Sequence, residues 1–599
     1  MKIPPLVFSL LFFSFGQGEL IHASQPDFGP NVTVFDPSMN SGKIQSALDA
    51  VSQVQVLPSS QFNTVRQAFL FKPGTYNINA EVGYYTSVAG LGLSPDDVTI
   101  NGFVNVEGTG GQGEPGGANG VFTDSALVNF WRSAENMHII PQSGQTERWA
   151  VSQAAPMRRM HISGGTQPGG SPLFWIMPLY GGFSSGGFIA DCLIEDQVLS
   201  GSQQQWLTRN SVLGNGWTNG VWNQVFSGVI GAPAQSFPTN PFTTLMQSPV
   251  TREKPFLYVD KTGNFNVFVP VLQRHSSGVT WANGPAAGSS IPISDFFIAK
   301  PTDSVLRINL ALALGKNLIL TPGIYNLDAP IRVLWPDTVV LGLGFPTLVP
   351  DRGNTSMEIA NVPGVKLSGM IFDAGPFNSG LLLQVGQSPL FAILRDAGSN
   401  PADPTLIQDV FFRIGGATPG RATTSLEINR NNVIIDDVWA WRADHGAGVG
   451  WTSNTAAHGL IVNGDNVTAY GLFVEHYQNY EVVWNGENGT TIFFQNEMPY
   501  DPPTQAAWSH NGIDGFASYK VSDRVRFHQG FGMGAYCNFD VNPAIVSTRG
   551  FEVPNTAGVQ FRDLLTVSLG GVGTIEHVIN NTGGTANVTT QVVDLMKYP

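Results

Sequence analysis

The stretch that decides the reading runs NVIIDDVWAWRADHGAGVGW over residues 432–451 and GLIVNGDNVTAYGLFVEHYQNYEVVWNGENGTTIFFQNEMPYDPP over residues 459–503. Three short apolar runs, at 433–435, 467–474 and 491–494, each lead into polar or aromatic residues. Each is too short for a helix, and their spacing is too irregular for hairpins closed by two-residue turns. Rungs of a parallel sheet explain the pattern, because each coil of a β-helix buries its inward residues against the coils above and below it. Glu475 and Glu497 close two of these runs twenty-two residues apart, about one coil, so stacked rungs would put both carboxylates on one face.

Working outward, the same kind of run recurs along the chain, as FIADCLIED, WLTRNSVL, VWNQVFSGVIG and VKLSGMIFDAG. A larger repeat overlies it. SGKIQSALDAVSQVQ (41–55), AFLFKPGTYNI (68–78) and GLGL (90–93) are followed some 250 residues later by DSVLRINLALALGKN (303–317), LILTPGIYNL (318–327) and GLGF (342–345), with Pro-Gly, Tyr and Asn in register. The chain therefore reads as all-β, two parallel β-helices in tandem, each introduced by a helix with apolar residues at helical spacing. We place the first over 24–291 and the second over 292–599, joined by a Pro-, Ser- and Thr-rich segment from 231 to 301 that carries one extended strand at 256–273.

Composition agrees. Charged residues make up only 12% of 599 against 69 glycines, which disfavours long solvated helices. The formal charge is −14 without a run of Lys or Arg, so the footprint for nucleic acid is missing. Residues 1–23, with Lys2, an apolar stretch from 6 to 15 and Ala23 before Ser24, read as a secretory signal and not a membrane span. The protein is expected outside the cell, with no membrane partner. Sequons stand at Asn31, Asn354, Asn466, Asn488, Asn580 and Asn587. Cys192 and Cys537 are the two cysteines, read as buried thiols or as a single bridge.

Hydrolysis of a neutral glycan needs a protonated acid at the leaving oxygen, a group or water on the opposite face, and aromatic platforms for the rings. Glu497 follows Ile492, Phe493 and Phe494, neighbours that would raise its pKa, and is the candidate acid. A surface glutamate at a strand end is the structural alternative. Glu475 is the second carboxylate, unless it simply pairs with Arg442. Asp444, in WRADHG, is a candidate sugar ligand or a turn residue. Of the aromatics crowding this stretch, Trp441, Trp484 and Tyr500 are expected to stack on sugar. Gln203, Gln204 and Gln205, with Ser227 about one coil on, are candidates for holding a water, or form a ladder that satisfies turn backbones. The ten histidines form no HExxH and no close cluster, so no metal and no cofactor are expected.

The duplicated PG-x-Y-N halves and the block from Trp439 onward, WRADHG, GDNVTAYGLFVEHYQ and VVWNGENGTTIFFQNEMPYDPP, resemble glycoside hydrolase family 55, and within it the exo-acting β-1,3-glucanases of bacterial type. The resemblance implies a tandem right-handed β-helix with its cleft between the halves, and inverting hydrolysis of β-1,3-glucan from chain ends; monomeric action is expected from the lack of an appended binding module. It implies Glu497 as proton donor, Glu475 as a second cleft carboxylate, and Trp441, Asp444, Trp484 and Tyr500 as sugar contacts. It also implies an attacking water held by a glutamine and a serine of the first half, here assigned to the Gln203–Gln205 run and Ser227. Two rivals remain: a β-helix pectin lyase or galacturonase, which would want acidic calcium clusters or basic residues for uronates, and a non-catalytic glucan-binding solenoid.

Overall fold

The computed structural model describes residues 25–108, 125–163, 174–178, 182–284, 286–386 and 399–599; the secretory signal expected at 1–23 lies outside the described residues. The first half builds a parallel sheet in chain order, from Val32–Phe35 through Gln67–Phe71, Thr86–Gly90, Arg132–Ile140, Pro156–Ile162, Phe188–Ala190, Gln205–Arg209 and Asn223–Ser227 to Phe242–Leu245. From Phe296–Ala299 to Val559–Ser568 a second parallel sheet is laid down the same way, accompanied by a nine-stranded one from Ile331–Val333 to Thr574–Ile579. Each strand pairs with the equivalent strand one coil later. This is the expected tandem parallel β-helix. The last strand, Val592–Tyr598, runs antiparallel to Val559–Ser568 and occupies the end of the sheet.

One conformational device shapes the coils of the second half. Gly369, Asp409, Asp437, Gly471, Phe493, Gly532 and Asp563 hold the same register position on seven successive strands, and all have positive φ, from 50° to 78°. Gly visits this region freely, and Asp tolerates it through local hydrogen bonding. Phe493 is the exception, and its ring packs on Phe473 at 5.1 Å. The left-handed residue resets the alternation of each strand. Beyond it, the first and third positions point into the solenoid, where Val438, Ala440, Leu472, Val474 and Phe494 join one core. The second and fourth positions point outward, and they carry Trp439, Trp441, Phe473, Glu475, Gln495 and Glu497.

The repeated motif has a structural reason. The hydroxyls of Tyr76 and Tyr325 each donate to two backbone carbonyls, those of Phe35 and Lys72 in the first half and of Ala299 and Thr321 in the second. Gly74 and Gly323 are required because a Cβ would stand 2.6 Å from Pro37 and 2.2 Å from Pro301. The helices α1 (Ser41–Gln55) and α2 (Val305–Ala313) set Ile44 and Leu48, and Ile308 and Leu312, against the core of their own half. The segment expected as one strand at 256–273 is instead a hairpin of Phe256–Val259 and Phe265–Pro270, joined by Gly288–Pro292. Asp260 breaks it, accepting from the backbone N–H groups of Thr262 and Asn264 at 2.9 and 3.0 Å. Cys192 and Cys537 are both buried free thiols.

The two halves face each other through outward-pointing side chains. Tyr85, Phe130, Trp131 and Phe188 of the first pack with Phe411, Trp439, Trp441 and Phe473 of the second. Beside them lies a buried ionic layer. Arg158 grips Asp409 at 2.6 Å and Asp436 at 2.9 Å, while Arg209 spans Asp436 at 2.9 Å and Glu253 at 2.6 Å.

Candidate functional site

Glu475 and Glu497 are direct register partners on the adjacent parallel strands Val467–Glu475 and Gly489–Glu497. Both sit four residues past the left-handed position, on the face turned toward the first half, with strands roughly 4.8 Å apart. Glu475 is clamped at both oxygens: the Gln153 amide of the first half donates to Oε1 at 2.8 Å, and the Trp439 indole N–H donates to Oε2 at 2.8 Å. Glu497 is freer. Its side chain keeps 17% exposure, Tyr500 donates its hydroxyl to Oε2, and Gln495 reaches Oε1 at 3.4 Å.

Burial, and after it the charge of Glu497, pushes Glu475 well above the usual carboxylate range. Burial also raises Glu497, against the lowering influences of His476 and of the Tyr500 hydrogen bond. The pair therefore holds a proton at pH values where isolated carboxyls have lost theirs. The Trp439 indole is an obligate donor, which favours the carboxylate form of Glu475, whereas the Gln153 amide and the Tyr500 hydroxyl can each present a donor or an acceptor.

Around the pair, His476 takes a left-handed backbone (φ 68°) and sets its Nε2 at 3.9 Å from Glu497 and its ring edge on Tyr500 at 4.4 Å. Asp444 accepts from His445 Nδ1 at 2.8 Å, and Gln61 of the first half meets His445 Nε2 at 2.6 Å. Burial acts to raise Asp444, but the hydrogen bond from His445 and the nearby charges of His476 and His445 hold it well below the usual range. Arg442 does not pair with Glu475. Its guanidinium takes Asp501 bidentately at 2.8 Å and caps the carbonyls of Asn454 and His476. Three buried polar atoms nearby, Gln205 Oε1, Gln495 Oε1 and the Tyr536 hydroxyl, have no protein partner. Orphans gathered at one place mark where water and ligand hydroxyls belong.

The structure brings Glu475, Glu497, Asp444 and Tyr500 together. It does not bring Trp484, which is fully buried inside the second solenoid against Tyr519 and His528. Its strand, Val482–Trp484, belongs to the nine-stranded sheet and turns the indole inward. Trp441 reaches the neighbourhood but offers no free face, being stacked between Phe62 and Trp439. It forms a wall and not a platform.

Among the first-half candidates, Gln203 is consumed internally by the backbone of Val151, Ile176 and Gly186. The Ser227 hydroxyl pairs with Ser248, and Gln204 is half-buried with its backbone bonded to Ser184. Only Gln205 approaches, through Ser185 at 3.4 Å. The first-half residue that does reach Glu475 is Gln153, whose amide also donates to Ser185 at 3.3 Å. Sequence reasoning missed both, since neither sits at a fixed offset from an apolar run. GFSSG (182–186) has nucleophile-elbow spacing at Ser184, the neighbour of Ser185, but the strand Phe188–Ala190 follows it and not a helix.

The model of the LAM55 pectate lyase-like domain matches residues 296–497. An exo-beta-1,3-glucanase of Streptomyces sp. (strain SirexAA-E / ActE) is 51% identical over 572 residues, covering 95% of this chain and 89% of its own. The structure of sacteLam55A from Streptomyces sp. SirexAA-E superposes with a TM-score of 0.89 at 50% identity, covering 96% of this chain and 99% of the other. A variant of sacteLam55A in complex with glucose gives the same TM-score, 0.89, at 51% identity and the same coverage, 96% and 99%.

Proposed function

Because the chain belongs to glycoside hydrolase family 55, we propose that it is a glucan hydrolase that cleaves β-1,3-glucan from chain ends with inversion at the anomeric carbon. Glu497 is the general acid. It donates its proton to the leaving glycosidic oxygen as the bond to the anomeric carbon breaks. The attacking water is held on the opposite face by Gln153, Ser185 and Glu475, and gives up its proton toward Glu475 as its oxygen bonds the sugar.

The observation that carries this reading is the double clamp on Glu475 by Gln153 and Trp439. With both oxygens held by N–H donors, Glu475 is poorly placed to attack carbon itself and well placed to orient a water. The inverting outcome itself is taken from membership of the family and not from the spacing of the pair, whose members are direct register partners. Asp444, Tyr500 and the orphaned polar atoms of Gln205, Gln495 and Tyr536 supply partners for sugar hydroxyls. The segment 1–23 supports secretion, and a soluble or loosened glucan met by a monomer fits the cleft between the halves.

The test compares the purified protein with Glu497→Gln on laminarin, following products by chromatography and the anomeric proton by early-time NMR. Glucose released first as the α-anomer, with activity reduced by orders of magnitude in the variant, supports the reading. Binding without release overturns it in favour of a glucan-binding solenoid. A first product in the β-configuration overturns inversion.

A further inference from the structure

On the first half, away from the cleft, stacking of the coils assembles a group that no sequence spacing announces. His138 and His161 are register partners on the neighbouring strands Arg132–Ile140 and Pro156–Ile162, and their rings lie parallel at 3.9 Å. Asp96, on the turn Pro95–Asp97, faces both Nδ1 atoms, at 3.6 Å from His138 and 2.6 Å from His161. All three ligand atoms lie within 4.8 Å of one another.

The opposite ring nitrogens are also engaged. His161 Nε2 meets Glu195 Oε1 at 3.0 Å, and His138 Nε2 meets the Ser163 hydroxyl at 2.5 Å. Once an ion takes the place of the proton between His161 Nδ1 and Asp96, Glu195, and Ser163 in its accepting orientation, hold the rings as Nε2–H tautomers with their Nδ1 lone pairs on the ion. Asp96 and Glu195 are half-exposed, so an ion has a path from solvent, and Trp281 stands beside His161 with ring centroids 5.8 Å apart.

We infer that Asp96 Oδ1, His138 Nδ1 and His161 Nδ1 form a site for a divalent transition-metal ion of the zinc class, oriented by Glu195 and Ser163. Two imidazoles and one carboxylate suit that class, and ligand bonds of about 2.0–2.2 Å require the donor atoms to stand about 3.4 Å apart. Asp96–His138 is already near that value, and the ion would splay the two rings so that both lone pairs converge. The site shares no residue with the cleft. It ties the turn at Asp96 to two coils, which makes it a clip on the solenoid and assigns it no part in hydrolysis.

Chelator-treated protein is titrated with Zn²⁺ by calorimetry and with Co²⁺ by visible absorption, beside Asp96→Asn and His138→Gln, each checked for fold by circular dichroism. One ion per chain is expected, with affinity reduced more than about tenfold in each variant, and a melting temperature that Zn²⁺ raises in the unsubstituted protein only. The absence of saturable binding, or binding equally tight in both variants, overturns the proposal and leaves the cluster as a hydrogen-bonded pair of stacked rings between Asp96 and Glu195.

Discussion

Gln153 of the first β-helix donates to Glu475 of the second at 2.8 Å across a sequence separation of 322 residues. The bond joins the halves at the carboxylate pair, and it makes the geometry of that pair depend on how the halves dock.

Gln153→Ala therefore removes the donor proposed to position the water and leaves Glu475 to Trp439 and Gln495. Loss of one such preorganised donor lowers kcat by roughly 10²–10³-fold, with little change in KM. Steady-state kinetics on laminarin check it, and an unchanged kcat takes Gln153 out of the water site.

The basic limb of the kcat/KM profile reports deprotonation of the acid, and two substitutions move it in opposite directions. Tyr500→Phe deletes a hydrogen bond that favours ionised Glu497, so its pKa rises and the limb moves to higher pH. Asp444→Asn deletes a negative charge that raises Glu497, so the limb moves to lower pH. A shift of the same sign in both would exclude Glu497 as the titrating group.

Glu481 lies inside the solenoid, with Oε1 unpartnered and Oε2 accepting from Asn496. Burial first, then the charge of Glu475, raises it well above its ordinary value. The unfolded chain then loses this proton at lower pH than the native protein, so Glu481 withdraws stability as pH rises from about 4.3 toward its folded pKa. Glu481→Gln should flatten that decline, as read from melting temperature between acid and neutral pH.

Asp436 receives Arg158 at 2.9 Å and Arg209 at 2.9 Å between the halves. Asp436→Ala strands part of the charge on two buried guanidiniums, and breaking such a pair costs about 3–5 kcal/mol. Denaturant unfolding measures it, and a loss under about 1 kcal/mol would place the layer in the class of weak surface pairs.

Much of this molecule is periodic, and what is periodic was legible. Tyr76 and Tyr325 make equivalent bonds because the duplicated motif repeats them, and the twenty-two residues between Glu475 and Glu497 equal one coil, so their shared face followed from spacing. A solenoid coil touches only its neighbours, which turns sequence interval directly into contact. Direction was harder. Trp484 occupies a three-residue strand, too short for its parity to be read, and it points inward. Trp441 points outward as expected but meets Phe62, a residue of the other half.

By itself, then, the sequence determined the coils, their doubling, and the pairing of two carboxylates on neighbouring rungs. Tertiary structure alone decided which first-half residues confront them, selecting Gln153 and Ser185 over Gln203 and Ser227. The reason is physical: stacking within a β-helix is local and repeats along the chain, whereas docking of two β-helices is a single non-local packing event, set by the aromatic and ionic surfaces between them, and leaves no interval in the sequence.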